Sequence, residues 1–258
     1  MRSFSPARHG QRGFTLVELL VALAVVGLVM AAVVTLYVTG SRIYTAGTGR
    51  ADAQQAARAA MVMLAEDLRL AGSGYPTVSG LPKITAATAT SITFWGDLTN
   101  GSTILSQDVN AGDTALAVDS AAGVKPGDTI YLINGGAYEP LTVSSAGGTS
   151  ITVGGGTTAS YPQLTQVGLP KAITFSWDAG ARTLSKDAGD GAGAQLLADG
   201  VQAFQLLYFD TGDAAIPEAS LAANLENIRR ITITMTAEAP GQNPPVFTIT
   251  SDIRPRNL

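Results

Sequence analysis

Few residues of this 258-residue sequence are equipped for covalent chemistry. Cysteine is absent, which excludes thiol nucleophiles, thiolate metal ligands and disulfides. The single histidine, His9, stands close to the start, so the remainder has no imidazole to act as general base or metal ligand. No G-x-S-x-G elbow appears. The carboxylates offer more. Asp187 and Asp190 in "DAGDGAG", and Asp210 and Asp213 in "FDTGD", are oxygen ligands of the kind Ca²⁺ favours, but neither run has EF-hand spacing, and solvated turns suit both. Gly189, Gly191 and Ala194 match G-x-G-x-x-A, yet no buried parallel strand precedes them and no long helix follows, the context that would make this a dinucleotide site. Catalytic, cofactor and metal residues are therefore expected to be none. The side chain most out of place is Glu18, at the head of a run built to avoid water.

That run is "GFTLVELLVALAVVGLVMAAVVTLYVTG", Gly13 to Gly40, and no charged residue stands between Leu19 and Ser41. Such a length suffices to cross a bilayer core, which takes about 20 residues as helix. A charge at the centre of such a helix costs about 2.5–3.5 kcal/mol on insertion scales, less near an end. Glu18 therefore calls for a partner. Ahead of the run lie Arg2, Arg8 and Arg12 and no acid. A secretory signal would share the basic start, but its apolar stretch is shorter and a small-residue cleavage site follows it. A plain anchor fits the length, with the arginines holding the short N-terminus in the cytoplasm, and leaves Glu18 without a reason.

The stretch Gly13-Phe14-Thr15-Leu16-Val17-Glu18-Leu19-Leu20 closely resembles the processing motif of type IV pilins and of the pseudopilins of type II secretion. The resemblance implies that a prepilin peptidase cuts the leader 1–13 between Gly13 and Phe14 on the cytoplasmic side, and that the new Phe14 amine is methylated. It also implies that Glu18 is an assembly residue, meeting the charged N-terminal amine of a neighbouring subunit. Gly27 lies near a glycine that loosens in major pilins, but no proline accompanies it here; close helix approach in the membrane is the alternative.

Beyond the membrane run, Ala53, Ala57, Ala60, Leu64, Leu68 and Ala71 recur every three or four residues, with Met61 widening the stripe. Asp52, Arg58, Glu66 and Arg69 fall on the other side, and Gly72 is a stop signal. Gly40, Gly47 and Gly49 weaken the join and permit a bend there. After residue 76 the pattern turns to β: 91–95, 129–133, 150–153, 172–177, 201–209, 228–236 and 246–253 are short β-rich runs bounded by turn formers. The last two, separated by "EAPGQNPP", read as an antiparallel hairpin. "SITFWGDL" and "KAITFSWD" resemble each other, as two neighbouring strands or as an internal repeat. Between them, 101–166 has its own alternating strands and glycine turns, enough for a small barrel or sandwich.

The order "AARAAMVMLAEDLRLAG", "SITFWGDL", "GVQAFQLLYFD", "NIRRITITMTAEA", "RPRNL" is similar to PilW-type minor pilins and also to J-type pseudopilins. The expected fold is α+β: a long N-terminal helix over 14–72, membrane-spanning over 14–38, on an antiparallel β-rich head over 73–258 that carries 101–166 as an inserted all-β domain. The resemblance implies a structural subunit and not an enzyme. Its partners would be other major and minor pilins, the prepilin peptidase, the inner membrane and the pilus assembly machinery. The location would be the bacterial inner membrane with a periplasmic head, then a surface pilus. A type II secretion pseudopilin, and a tip adhesin or DNA-uptake receptor using the insert, are the alternatives. The net charge of −4 falls further when the basic leader is removed, which argues against nucleic acid as the main partner.

Overall fold

The computed structural model describes residues 14–78, 80–238 and 246–258. The leader 1–13, with Gly13, and the expected loop at 239–245 lie outside these. The α+β expectation holds: among the described residues one long helix precedes fifteen strands, all in antiparallel pairs.

Helix α1 spans Leu16–Arg69 without interruption. Gly40, Gly47 and Gly49, which permit a bend, lie within this helix, each at a cost of about 1 kcal/mol relative to alanine. Two compact units divide the chain at residues 49 and 50, within this helix. In the second unit the sequence stripe is the buried face: Ala57, Ala60, Met61, Leu64, Leu68 and Ala71 are buried, while Asp52, Arg58, Glu66 and Arg69 are exposed. Each fully buried leucine contributes about 1.5–3 kcal/mol. The chain then turns through Gly72, whose φ of +84° is the left-handed conformation that glycine adopts without penalty.

Strands β1 (Ile84–Ala87) and β2 (Ser91–Gly96) follow. The chain next forms β3 (Thr103–Ile104), β4 (Ala115–Ala117), β5 (Thr129–Asn134), β6 (Ala137–Gly147), β7 (Ser150–Val153) and β8 (Gln166–Gly168). It returns with β9 (Lys171–Asp178), β10 (Thr183–Asp187) and β11 (Gln195–Ala198). After β12 (Val201–Phe209) and β13 (Ala215–Ile216), two 3₁₀ turns at Glu218–Ala223 and Leu225–Asn227 lead to β14 (Arg230–Glu238) and β15 (Val246–Ile253). The expected hairpin is β14 on β15, paired from Ile231↔Ile253 to Glu238↔Val246.

Two sheets, ordered β1-β2-β9-β10-β11 and β13-β12-β14-β15, share one core with the buried face of α1. β2 and β9 pair directly, so the likeness of their sequences is that of neighbouring strands. They are linked across sheets by Leu206 N donating to Ala89 O at 2.8 Å and by the Tyr208 hydroxyl donating to Thr88 O at 2.9 Å. Lys186 on β10 pairs with Asp67 of α1 at 2.6 Å, fixing helix to sheet.

The third sheet, β3-β8-β5-β6-β7-β4, encloses a separate core that includes Leu105, Leu116, Ile130, Leu132, Ile151 and Val167. Its outer strands meet: Ser106 N donates to Ala117 O at 2.9 Å, Asp119 N to Ile104 O at 3.1 Å, and Leu105 bridges Val118. The sheet thus closes into a barrel, which removes its free edges. One turn occurs twice in it. Asn110 N donates to Asp113 Oδ2 at 2.8 Å and Lys125 N to Asp128 Oδ2 at 2.9 Å, each beside a glycine of positive φ, Gly112 and Gly127. At its base the barrel abuts the rest of the head through aromatics: Tyr75 stacks on Trp95 of β2 at 5.5 Å and meets Tyr131 of β5 edge-on at 5.2 Å.

Candidate functional site: the start of the N-terminal helix

Thr15 is the residue before the first turn of α1, and Glu18 is the third residue within it. Thr15 N donates to Glu18 Oε2 at 2.9 Å, the Thr15 hydroxyl donates to the same oxygen at 3.0 Å, and Glu18 N donates to Thr15 Oγ1 at 3.3 Å. This is a reciprocal capping box, which satisfies two backbone N–H groups that a helix start leaves without partners. The carboxylate also sits at the positive end of the helix dipole. Glu18 thus has a local partner, one that the sequence reading missed. Its signal was present as T-x-x-E ahead of an apolar run.

Past this turn the helix is apolar on every side. Val17, Leu19, Leu20, Val21, Leu23, Val25 and Val26 are all exposed, and Phe14 is 86% exposed. A helix in water keeps one polar face; one that is apolar all round belongs in lipid or among other helices. Among the described residues α1 is the helix long and apolar enough to cross a membrane. Gly27 has open space where a side chain would project.

The first residues match a family model described as the prokaryotic N-terminal methylation motif, over residues 8–34. The chain carries a prepilin-type N-terminus. Gly13, Phe14 and Glu18 all fall inside the matched stretch, and the motif joined to the apolar helix supports a membrane-anchored, pilin-like or pseudopilin subunit. No curated protein matches the chain.

The other candidate residues are held in turns. Asp187 Oδ1 accepts Gly189 N at 2.9 Å and Asp190 Oδ1 accepts Ala192 N at 3.0 Å, in the connection between the antiparallel strands β10 and β11. The Gly189–Ala194 run therefore lies in a hairpin connection, with no helix for a pyrophosphate to rest on. Asp210 Oδ1 accepts Gly212 N at 2.8 Å and Ala214 N at 3.0 Å. Asp213 binds Arg230 Nε and Arg254 Nη2, both at 2.9 Å, and the Arg230 hydrogen bond is the main cause that holds its carboxyl below the usual range. Among the described residues no three His, Cys, Asp or Glu side chains gather as a metal site.

Proposed function

We propose that this chain is a minor type IV pilin of the PilW type, cut between Gly13 and Phe14 and methylated on the Phe14 amine. The observation that carries the reading is a prepilin-type motif over residues 8–34 running directly into a helix exposed on all sides. Such a helix gains by leaving the bilayer only if other helices replace the lipid around it, which is what a filament core supplies. In that core Glu18 faces the charged amine of a neighbouring Phe14. Two opposite charges attract strongly at low dielectric, and either alone is costly there, so the pair rewards one register between subunits. The head, with its barrel, is carried at or near the pilus tip. Partners are the other pilins, the prepilin peptidase and the assembly machinery.

The same motif supports a type II secretion pseudopilin, and location separates the two. Recovery in filaments sheared from the cell surface supports the pilin; confinement to the envelope beside a secretin-bound exporter supports the pseudopilin. The primary test is the intact mass of membrane-extracted protein. The expected chain begins at Phe14 and carries one methyl group. A chain that still begins at Met1, or one cut beyond residue 38, overturns the proposal.

A further inference from the structure

An open sheet edge is a row of unpaired N–H and C=O groups, and folds shorten, distort or close such edges to keep other chains from pairing with them. Among the described residues the head treats its edges unequally. The barrel closes on itself, so β3 and β4 meet. Edge strands β1 and β11 have four residues each, and their pairings lose register at Ile84/Ala86 and Leu184/Ser185. β13 has two residues. β15 is the exception. It runs for eight residues, Val246–Ile253, in unbroken register on β14, and contains no Lys, Arg, Pro or Gly.

β15 ends the sheet order β13-β12-β14-β15. In an antiparallel pair every second residue turns both its N–H and its C=O away from the neighbouring strand. On β15 these outward groups have no hydrogen-bond partner among the described residues. The side chains leave the same edge unfinished. Ile231, Ile233, Met235 and Ala237 of β14 are buried. Opposite them on the same face stand Ile253, Ser251, Ile249 and Phe247. Ile253 is buried, but Phe247 and Ile249 touch the core and remain half-buried. On the other face Thr248, Thr250 and Asp252 are exposed, and the Thr248 and Thr236 hydroxyls share a hydrogen bond at 3.0 Å.

We propose that β15 is a docking edge that takes an extended segment of a partner protein as a further strand of this sheet. The free backbone groups set the occupant's conformation, because an extended chain repeats its own donors and acceptors at their spacing. The side chains set its chemistry. It is apolar at every second position, to cover Phe247 and Ile249, and carries Thr or Ser between, beside Thr248 and Thr250. A second copy of this chain fits less well. With both apolar faces on one side, the longest antiparallel overlaps of β15 with itself set Ser251 against Phe247 or against Ile249. Strand addition here does not require cleavage at Gly13, so it and the pilin reading can fail separately.

The test uses the full chain in neutral detergent micelles. The probe is a labelled peptide in which Thr alternates with Ile, Phe and Ile between terminal lysines, followed by fluorescence anisotropy. A peptide of the same composition with its apolar residues contiguous is the control. The alternating peptide should bind saturably, one per chain, with a Kd below about 1 mM. Hydrogen exchange should then show protection gained at every second amide of Val246–Ile253. Ile249→Lys points a charge inward at the edge, a device that blocks strand pairing, and should weaken binding about tenfold or more. Phe247→Thr removes half-buried apolar cover with a residue suited to strands, and gives the same reading if Ile249→Lys unfolds the head. Absence of saturation up to about 1 mM, equal binding of the contiguous peptide, protection gained outside β15 alone, or unchanged affinity in both variants overturns the proposal. Concentration-dependent dimerisation of the chain that Ile249→Lys or Phe247→Thr abolishes assigns the edge to a second copy and also overturns the partner strand.

Discussion

Thr15 and Glu18 cap the same helix start from both ends of one exchange: the Thr15 amide binds the Glu18 carboxylate at 2.9 Å and the Glu18 amide binds the Thr15 hydroxyl at 3.3 Å. The carboxylate therefore has two separable tasks, one within its own helix and one proposed between subunits. Loss of an N-cap side chain costs about 1 kcal/mol, and Thr15→Val should show that cost alone, as fraying of the first turn in amide exchange. Glu18→Ala loses the cap and the charge together. Compared at equal membrane levels, Glu18→Ala should be recovered in sheared filaments far less than Thr15→Val, while membrane insertion is unchanged or improved. Equal recovery of the two variants would reduce Glu18 to a capping residue.

The Asp67–Lys186 pair ties α1 to β10 and gives the head a pH dependence. Burial pushes the Asp67 carboxyl above its ordinary value, and the hydrogen bond and charge of Lys186 only partly offset this. A carboxyl with a raised folded pKa binds its proton more tightly when folded than unfolded. Its contribution favours folding below the unfolded pKa and is lost as pH rises through the folded pKa. Thermal melts across the acid range should show this loss in the wild type and not in the double variant Asp67→Asn with Lys186→Met. Asp67→Asn alone, a neutral isostere of the protonated carboxyl, should also remove this pH dependence without loss of stability at neutral pH, because the burial penalty on the charged form outweighs the attraction of Lys186.

Asp97 titrates in the opposite sense. Burial alone would raise its carboxyl, but the Ser102 hydroxyl, then Ser102 N at 2.7 Å, Gly101 N at 3.1 Å and the Thr99 hydroxyl at 3.2 Å hold it below the ordinary value. A depressed carboxyl stabilises the fold above its unfolded pKa, and that stability is lost as pH falls through the folded pKa. Asp97→Ala should cost about 1.5–3 kcal/mol at neutral pH, the range for hydrogen bonds to a charged group. The difference from wild type should shrink in acid, measured by denaturant midpoint at each pH.

We propose that residues 101–166 are an insertion that the rest of the head does without. β2 and β9, which flank the segment in sequence, pair with each other along six residue pairs from Ser91↔Ser176 to Gly96↔Lys171. Replacing 101–166 by a short glycine linker should leave a head that unfolds cooperatively, because closing a shorter loop changes the chain entropy by only about 0.6 kcal/mol per twofold change in length. The aromatic contact of Tyr75 with Tyr131 is lost in this variant, so its melting temperature should fall. Non-cooperative unfolding would place the barrel within the core of the head.

Gly168→Ala probes the place where barrel and head are pressed together. A Cβ there would come within 1.9 Å of Gly74 O, a backbone atom with no freedom to swing aside. The expected cost is about 1–3 kcal/mol or more, read as a lowered denaturant midpoint, and the Asp97 turn that packs beside Gly74 should lose amide protection with it. An unchanged midpoint would mean that the two segments separate more easily than their packing indicates.

Local patterns determined much of this protein. Hydrophobic run length, the leader charges, Gly13-Phe14 and Glu18 pointed to a prepilin-type N-terminus, because cleavage and membrane entry read contiguous residues. The α1 stripe from Ala57 to Ala71 and the strands β2, β5, β7, β9, β12, β14 and β15 were legible for the same reason: periodicity of burial is written along the chain. The short strands β1, β3, β4, β8, β11 and β13 were not, since at two to four residues they carry little pattern and lack the β-branched run that marks β7. β6 escaped notice because Pro140 interrupts it, and β10 because Lys186 serves a partner on α1. The repeated G-D turns at Gly112 and Gly127 were readable and were overlooked. What only the tertiary structure decided is which distant residues meet. Closure of the barrel through Leu105 and Val118, the Asp67–Lys186 pair, and the place of β15 at the edge of its sheet depend on how strands far apart in sequence are ordered. That order follows from burying all the apolar faces at once, a condition no single stretch of sequence contains.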